Sequence, residues 1–158
     1  MRILGYKSNM ARTLVMDDDR LVARVAARML RRMGHCVDVV RDGRDAVRAH
    51  SNAKDIGRPY DIIIMDLTVS GGMGGREATA LIRKRDGEVR ILAASGFHAD
   101  GAMCAPEKYG FTASLTKPFL VDGLRAALRC LLRGWKSLPQ SREELFDMEA
   151  AACASYRP

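Results

Sequence analysis

Tyr60-Asp61-Ile62-Ile63-Ile64-Met65-Asp66-Leu67-Thr68-Val69-Ser70-Gly71-Gly72-Met73-Gly74-Gly75 is the stretch whose reading decides the fold. Ile62 to Met65 is an apolar run rich in β-branching and too short for a helix, so it predicts a strand buried on both faces. Asp66 follows at once and places a carboxylate at the strand's carboxyl end, the edge where open parallel sheets bind ligands. The glycines after it predict a tight loop whose backbone takes conformations closed to other residues and exposes the carboxylate. Taken alone, Asp66 reads equally well as an aspartate that merely starts a turn. The other strands decide between the two readings.

Upstream, Thr13-Leu14-Val15-Met16 is a second short buried strand, and it too ends in acids, Asp17-Asp18-Asp19. From Arg20 to Met33 the apolar positions Val22, Val25, Ala26, Met29, Leu30 and Met33 predict an amphipathic helix, with Gly34 as its left-handed cap. Arg20, Arg24, Arg28 and Arg31 recur opposite that stripe, as on a solvated face. Cys36 to Val40 reads as the next strand, Asp42-Gly43 as a turn, and Ala46, Val47, His50 and Ala53 as one face of a helix ending near Gly57-Arg58-Pro59. Downstream of Asp66, Ala78, Leu81 and Ile82 mark a third helix, and Arg90 to Ala94 a strand followed by Ser95-Gly96. Gly101 and Pro106 interrupt the segment from Ala99 to Tyr109, which predicts a short or distorted helix. Ala113 to Thr116 is the fifth strand, ending at Lys117-Pro118, and Val121, Leu124, Leu128, Leu131 and Leu132 form the stripe of the last core helix.

Strands that alternate with helices across short turns require parallel pairing and right-handed crossovers. The expected fold is α/β, a flavodoxin-like doubly wound five-stranded parallel sheet in the order 2-1-3-4-5 with helices on both faces. Residues 1–11 read as a frayed lead-in, 12–133 as the folded domain, and 134–158 as a C-terminal extension. In that extension Ser141-Arg142-Glu143-Glu144 has the form of a capping box, and Leu145, Met148 and Ala152 share one face of a terminal helix. The extension's role, including homodimer formation, stays open.

A chain of 158 residues suits one domain with a complete core, and none of its apolar runs approaches the length needed to cross a bilayer. Nothing resembles a signal core, so a cytoplasmic protein without membrane contact is expected. Cys36, Cys104, Cys130 and Cys153 are far apart and lack metal-ligand spacing, which predicts reduced thiols. The net charge of +7 invites a nucleic-acid reading, but the arginines are scattered and no recognition motif accompanies them. Direct nucleic-acid binding is not expected; an acidic protein partner is the better use of the arginine face.

Under the predicted topology, four strand ends deliver Asp17 with Asp18, Asp66, Ser95 and Lys117 to one edge. Crowded carboxylates raise one another's pKa unless a cation offsets them. A hard divalent ion with oxygen ligands, magnesium above all, serves that purpose. Lys117 supplies a second positive charge and the Ser95 hydroxyl a hydrogen-bond donor, which together describe a phosphoryl-accepting site.

These motifs resemble the receiver domains of two-component response regulators over about residues 12–133, and the form of the Asp66 loop is similar to receivers fused to hybrid sensor kinases. The resemblance implies Asp66 as phosphoacceptor, with Asp17, Asp18, Asp66 and the backbone carbonyl of Thr68 as ligands of Mg2+, and Ser95 and Lys117 as phosphoryl contacts. It implies a sensor histidine kinase or histidine phosphotransfer protein as donor, and a downstream protein partner that reads a changed surface. Ser70 departs from the family's usual proline, and Ser114 stands where an inward-turning aromatic is usual, so an aromatic switch there is unavailable. Phe111 and Tyr109 are expected to pack as core residues. Phe97, two residues after Ser95, is a candidate modulator whose bulk would hinder an attacking water, and the neighbouring His98 reads as a surface residue.

Three rivals remain. A haloacid-dehalogenase-like aspartyl-phosphate phosphatase needs a second aspartate where Thr68 stands. A nucleotide or flavin binder needs a glycine-rich phosphate loop where Asp17-Asp18-Asp19 would repel phosphate. A receiver-shaped scaffold that is never phosphorylated would have no use for the acidic, serine and lysine positions. No DNA-binding or catalytic output segment is read after residue 133.

Overall fold

In the computed structural model, which describes residues 10–132, the run Ile62-Ile63-Ile64-Met65 is the buried centre of a five-stranded parallel sheet. Its strands are β1 (Arg12–Met16), β2 (Cys36–Val40), β3 (Ile62–Asp66), β4 (Arg90–Ser95) and β5 (Ala113–Thr116), in the spatial order 2-1-3-4-5. Because side chains alternate along a strand, β3 feeds two cores. Ile63 and Met65 pack on one face with Ala46, Ala53, Ala78 and Ile82, whereas Ile62 and Ile64 pack on the other with Ala26, Leu30, Leu124 and Leu128. Helices α2 (Gly43–Asp55), α3 (Gly75–Arg83) and the single turn α4 (Gly101–Cys104) therefore cover the first face, and α1 (Arg20–Arg32) and α5 (Val121–Leu132) the second. Burial of each isoleucine, leucine or methionine among them stabilises the fold by about 1.5–3 kcal/mol.

Element positions agree with the periodicity, but several details differ from it. The buried face of α1 is Ala23, Ala26, Ala27 and Leu30, while Val25 is 43% exposed. Alanines let the helix lie close to the sheet, and a stripe chosen by hydrophobicity favours the larger valine. All four predicted face arginines are exposed, and Gly34 caps the helix at φ 89°. Asp42-Gly43 is a helix start: Asp42 caps α2 through the Arg44 amide at 2.6 Å, and Gly43 is its first residue. The distorted fourth helix is α4 followed by a 3₁₀ turn over Pro106–Tyr109, where proline opens a new turn.

Phe111 is core, as expected, but Tyr109 is 40% exposed and its ring lies under the Arg76 guanidinium. Ala11 is no frayed lead-in, since its amide donates to His35 Nδ1 at 3.0 Å and its carbonyl accepts from the Cys36 amide. The expected terminal helix with Leu145, Met148 and Ala152 lies outside the described residues. Among those described, no helix is long and apolar enough to cross a membrane.

Candidate functional site

Parallel pairing brings the carboxyl ends of β1, β3, β4 and β5 to one edge. Register continues past the strands there: the Leu67 amide donates to the Ala94 carbonyl at 3.0 Å, and the Lys117 amide to the Ser95 carbonyl at 2.9 Å. Asp66 pairs with Ala94, and Ser95 with Thr116. The Lys117-Pro118 peptide bond is cis.

Asp17, Asp18 and Asp66 converge so that one carboxylate oxygen from each lies within 4.8 Å of the others. Asp17 and Asp66 are buried, and Asp18 is half-buried. Lys117 Nζ bridges two of them, at 2.5 Å from Asp17 and 3.1 Å from Asp66. Three carboxylates thus face one ammonium, and the site keeps an excess of negative charge. Burial pushes the Asp66 carboxyl above its ordinary value; Lys117 opposes that shift, and Asp17 adds to it. Every donor in the cluster is an oxygen, which fits a hard cation such as magnesium.

Local hydrogen bonds hold each acid in place. Asp17 accepts from the Asp19 amide at 3.0 Å, while Asp19 caps α1 through the amides of Leu21 and Val22. Asp18 accepts from the Ser70 amide at 2.9 Å, which ties the first acidic loop to the loop after β3. Asp66 accepts from the Thr68 amide at 3.2 Å. Thr68 itself is exposed. Ser95 is buried, and its hydroxyl oxygen accepts from the Phe97 amide at 3.1 Å, leaving its own proton free to donate. Phe97 is 66% exposed. Ser114 does not join this group; its hydroxyl donates to the Met103 carbonyl at 2.9 Å and fastens β5 to the end of α4.

The glycines after Asp66 act differently from the expectation. Gly71, at φ 70°, is the one that takes the left-handed region. Gly74 and Gly75 are required for space: a Cβ on Gly74 would lie 2.8 Å from the Leu67 carbonyl oxygen, and one on Gly75 would collide with that of Asp66. The loop packs back on the strand that carries the acid. Sequence reasoning also missed Asp42, whose carboxylate accepts from the Met73 amide at 3.2 Å while the Gly43 amide donates to the Met73 carbonyl at 2.9 Å. That strut braces the far end of the loop against α2. Its only signal in the sequence is the aspartate-glycine pair, which reads as a turn.

A family model for the response regulator receiver domain matches residues 13–129. The chain belongs to this family. Among curated relatives, the transcriptional regulatory protein TcrA of Mycobacterium tuberculosis is 35% identical to this receiver domain over 122 residues, 77% of this chain and 46% of that protein. Probable histidine kinase 1 of Oryza sativa subsp. indica is 40% identical over 76 residues, 48% of this chain and 7% of the kinase. The chain therefore spans less than half the length of either relative. Among solved structures, a two-component response regulator of the LuxR family from Aurantimonas sp. SI85-9A1 matches at a TM-score of 0.69 and 29% identity, covering 89% of this chain and 99% of that one. The doubly wound sheet and the two-component resemblance both stand. The phosphatase and flavin-binder readings find no support.

Proposed function

We propose that this receiver domain accepts a phosphoryl group on Asp66 from a phosphohistidine, carried by a sensor histidine kinase or a histidine phosphotransfer protein. The observation that carries this reading is the bridging of Asp17 and Asp66 by Lys117 beside Asp18, on a buried edge with surplus negative charge. A carboxylate oxygen of Asp66 attacks phosphorus; a P–O bond forms, the P–N bond breaks, and the imidazole nitrogen keeps the electron pair. Asp17, Asp18, Asp66 and the Thr68 carbonyl would hold Mg2+, which when bound supplies charge neutralisation for the phosphoryl oxygens.

The chain's own residues do the positioning. One Asp66 carboxylate oxygen accepts from the Thr68 amide and the other faces Lys117, so the carboxylate plane is fixed and attack follows one trajectory. Lys117 already stands between two acids and turns from Asp17 to a phosphoryl oxygen without leaving the cleft. The Ser95 hydroxyl donates to another phosphoryl oxygen, and its bond from the Phe97 amide couples that event to the segment leading into α4. Because Ser114 offers no ring to swing inward, the signal leaves through residues 96–105 and the Ser114 tether to Met103, and a downstream protein reads the altered surface. The domain works in the cytoplasm as a phosphoacceptor whose only catalysis is its own phosphorylation and dephosphorylation.

Incubation with acetyl phosphate and magnesium, read by intact mass, is expected to add one phosphoryl group to the wild type and none to Asp66→Asn. An equal adduct on both proteins overturns the assignment. Phe97→Ala is expected to shorten the lifetime of the acyl phosphate several-fold, because the exposed ring stands two residues from Ser95; unchanged decay removes Phe97 from the site.

A further inference from the structure

The arginine face of α1 is used by neither the sheet nor the acidic cluster. Arg24, Arg28, Arg31 and Arg32, with Ala27 and Val39 of the edge strand β2, line an open groove of about 580 Å3. Among the described residues, Arg24, Arg28 and Arg32 make no hydrogen bond or ion pair; Arg31 donates to the Val37 carbonyl at 2.9 Å, which keeps its guanidinium along the groove. The first turn of α1 contains no acid, and Arg24–Arg28 and Arg28–Arg32 are like-charge neighbours four apart. The like-charge spacing weakens a helix. Val39 meanwhile stays 40% exposed between these charges. A concave surface with unpaired guanidiniums around an apolar floor is complementary to a segment that carries carboxylates and a few apolar side chains.

This chain holds such a segment. Residues 141–152 contain Glu143, Glu144, Asp147 and Glu149 against the single Arg142, together with Leu145, Phe146 and Met148. We propose that residues 141–152 dock intramolecularly in the α1–β2 groove, with carboxylates on the arginines and apolar side chains against Val39. The chain is long enough. Helices α1 and α5 pack on the same face and both run back from the carboxyl edge, so Arg32 and Leu132 arrive at the same edge of the sheet. From β5 to β2 is four strand spacings, about 19 Å. The eight residues from 133 to 140 reach about 28 Å when extended. The groove lies on the β2 side of α1, so the proposal stands independently of phosphorylation at Asp66.

Amide hydrogen exchange read by mass spectrometry on the full chain tests it. In the wild type at low salt, amides of residues 141–152 are expected to exchange about tenfold or more slowly than the intrinsic rate of an unstructured peptide. Arg28→Glu with Arg32→Glu, at exposed positions of α1, should abolish that protection, as should Glu143→Lys with Asp147→Lys. Combining all four substitutions should restore it, an outcome that misfolding cannot mimic. Protection should also fall as salt screens the charges. Exchange at the intrinsic rate in the wild type, or slow exchange indifferent to both pairs, overturns the proposal. Protection that grows with protein concentration assigns the contact to a second copy and overturns the intramolecular reading. Loss of binding to a duplex oligonucleotide in Arg28→Glu/Arg32→Glu, with exchange of 141–152 unchanged, assigns the groove to a polyanion and has the same effect.

Discussion

Asp66, buried, and Asp86, half-buried, are carboxylates beside a lysine, and their surroundings push them in opposite directions. At the carboxyl edge, Asp66 shares Lys117 with Asp17, and burial lifts its carboxyl above the ordinary value. In the connection between α3 and β4, burial would likewise raise Asp86, but hydrogen bonds from Lys54, the Glu88 amide, His50 and the Val89 amide outweigh it and hold the carboxyl far below the usual range. Lys54 lies 2.9 Å and His50 Nε2 3.0 Å from the same oxygen. A carboxylate with two donors on each oxygen is a structural tie, here between α2 and the turn after α3. A carboxylate that must share its only cation is left with unspent nucleophilic and ligating capacity. Donor count separates the proposed phosphoacceptor from the structural aspartate.

Three measurements break or sharpen that contrast. The largest effect is expected at Lys117: Lys117→Ala should slow phosphorylation by acetyl phosphate by about 100-fold or more, the scale of losing one preorganised charge-stabilising donor. A rate within a few-fold of wild type would show that Lys117 is structural, like Lys54. Next, Asp86→Ala should lower unfolding stability by about 2–3 kcal/mol, since it strands a buried histidine and two backbone amides, while the phosphorylation rate stays unchanged. Chemical denaturation and the acetyl phosphate assay on the same variant check both halves. Because the folded pKa of Asp86 is depressed, its stabilisation is complete above the unfolded value of 3.8 and is lost as pH falls through the folded value. The wild type should therefore lose more stability on acidification below pH 4 than Asp86→Ala does.

The smallest effect has the opposite sign. Asp66 has a raised folded pKa, so above that value the carboxyl is ionised in both states and burying its charge in the folded site disfavours the folded state at neutral pH. Asp66→Asn without metal should raise Tm by a few degrees at pH 7 and by nothing at pH 3. Magnesium should raise the wild-type Tm and leave the variant's nearly unchanged. A lower Tm for Asp66→Asn at neutral pH would mean that Lys117 already satisfies the site, and the contrast with Asp86 would disappear.

The primary sequence by itself determined the strands, because Leu14-Val15-Met16, Ile62-Ile63-Ile64-Met65 and Ile91-Leu92-Ala93-Ala94 are apolar runs that only a sheet covered on both faces can bury. With the strands came the positions of Asp17 with Asp18, Asp66 and Ser95, which follow such runs, and of Lys117, which follows the shorter, half-buried strand Ala113–Thr116. Composition could not fix which face of α1 is buried, because hydrophobicity favours valine whereas the close approach of the helix to the sheet favours alanine. Nor could it say that Gly74 and Gly75 are needed for room against Leu67 and Asp66, or that Asp42 braces Met73, because those neighbours are met only once the loop has closed. The pairing of Lys117 with Asp17 spans 100 residues, and that of His50 with Asp86 spans 36. Only tertiary structure decided these, for a charge finds its partner through space, and a linear chain records which charges exist without recording which of them will share a donor.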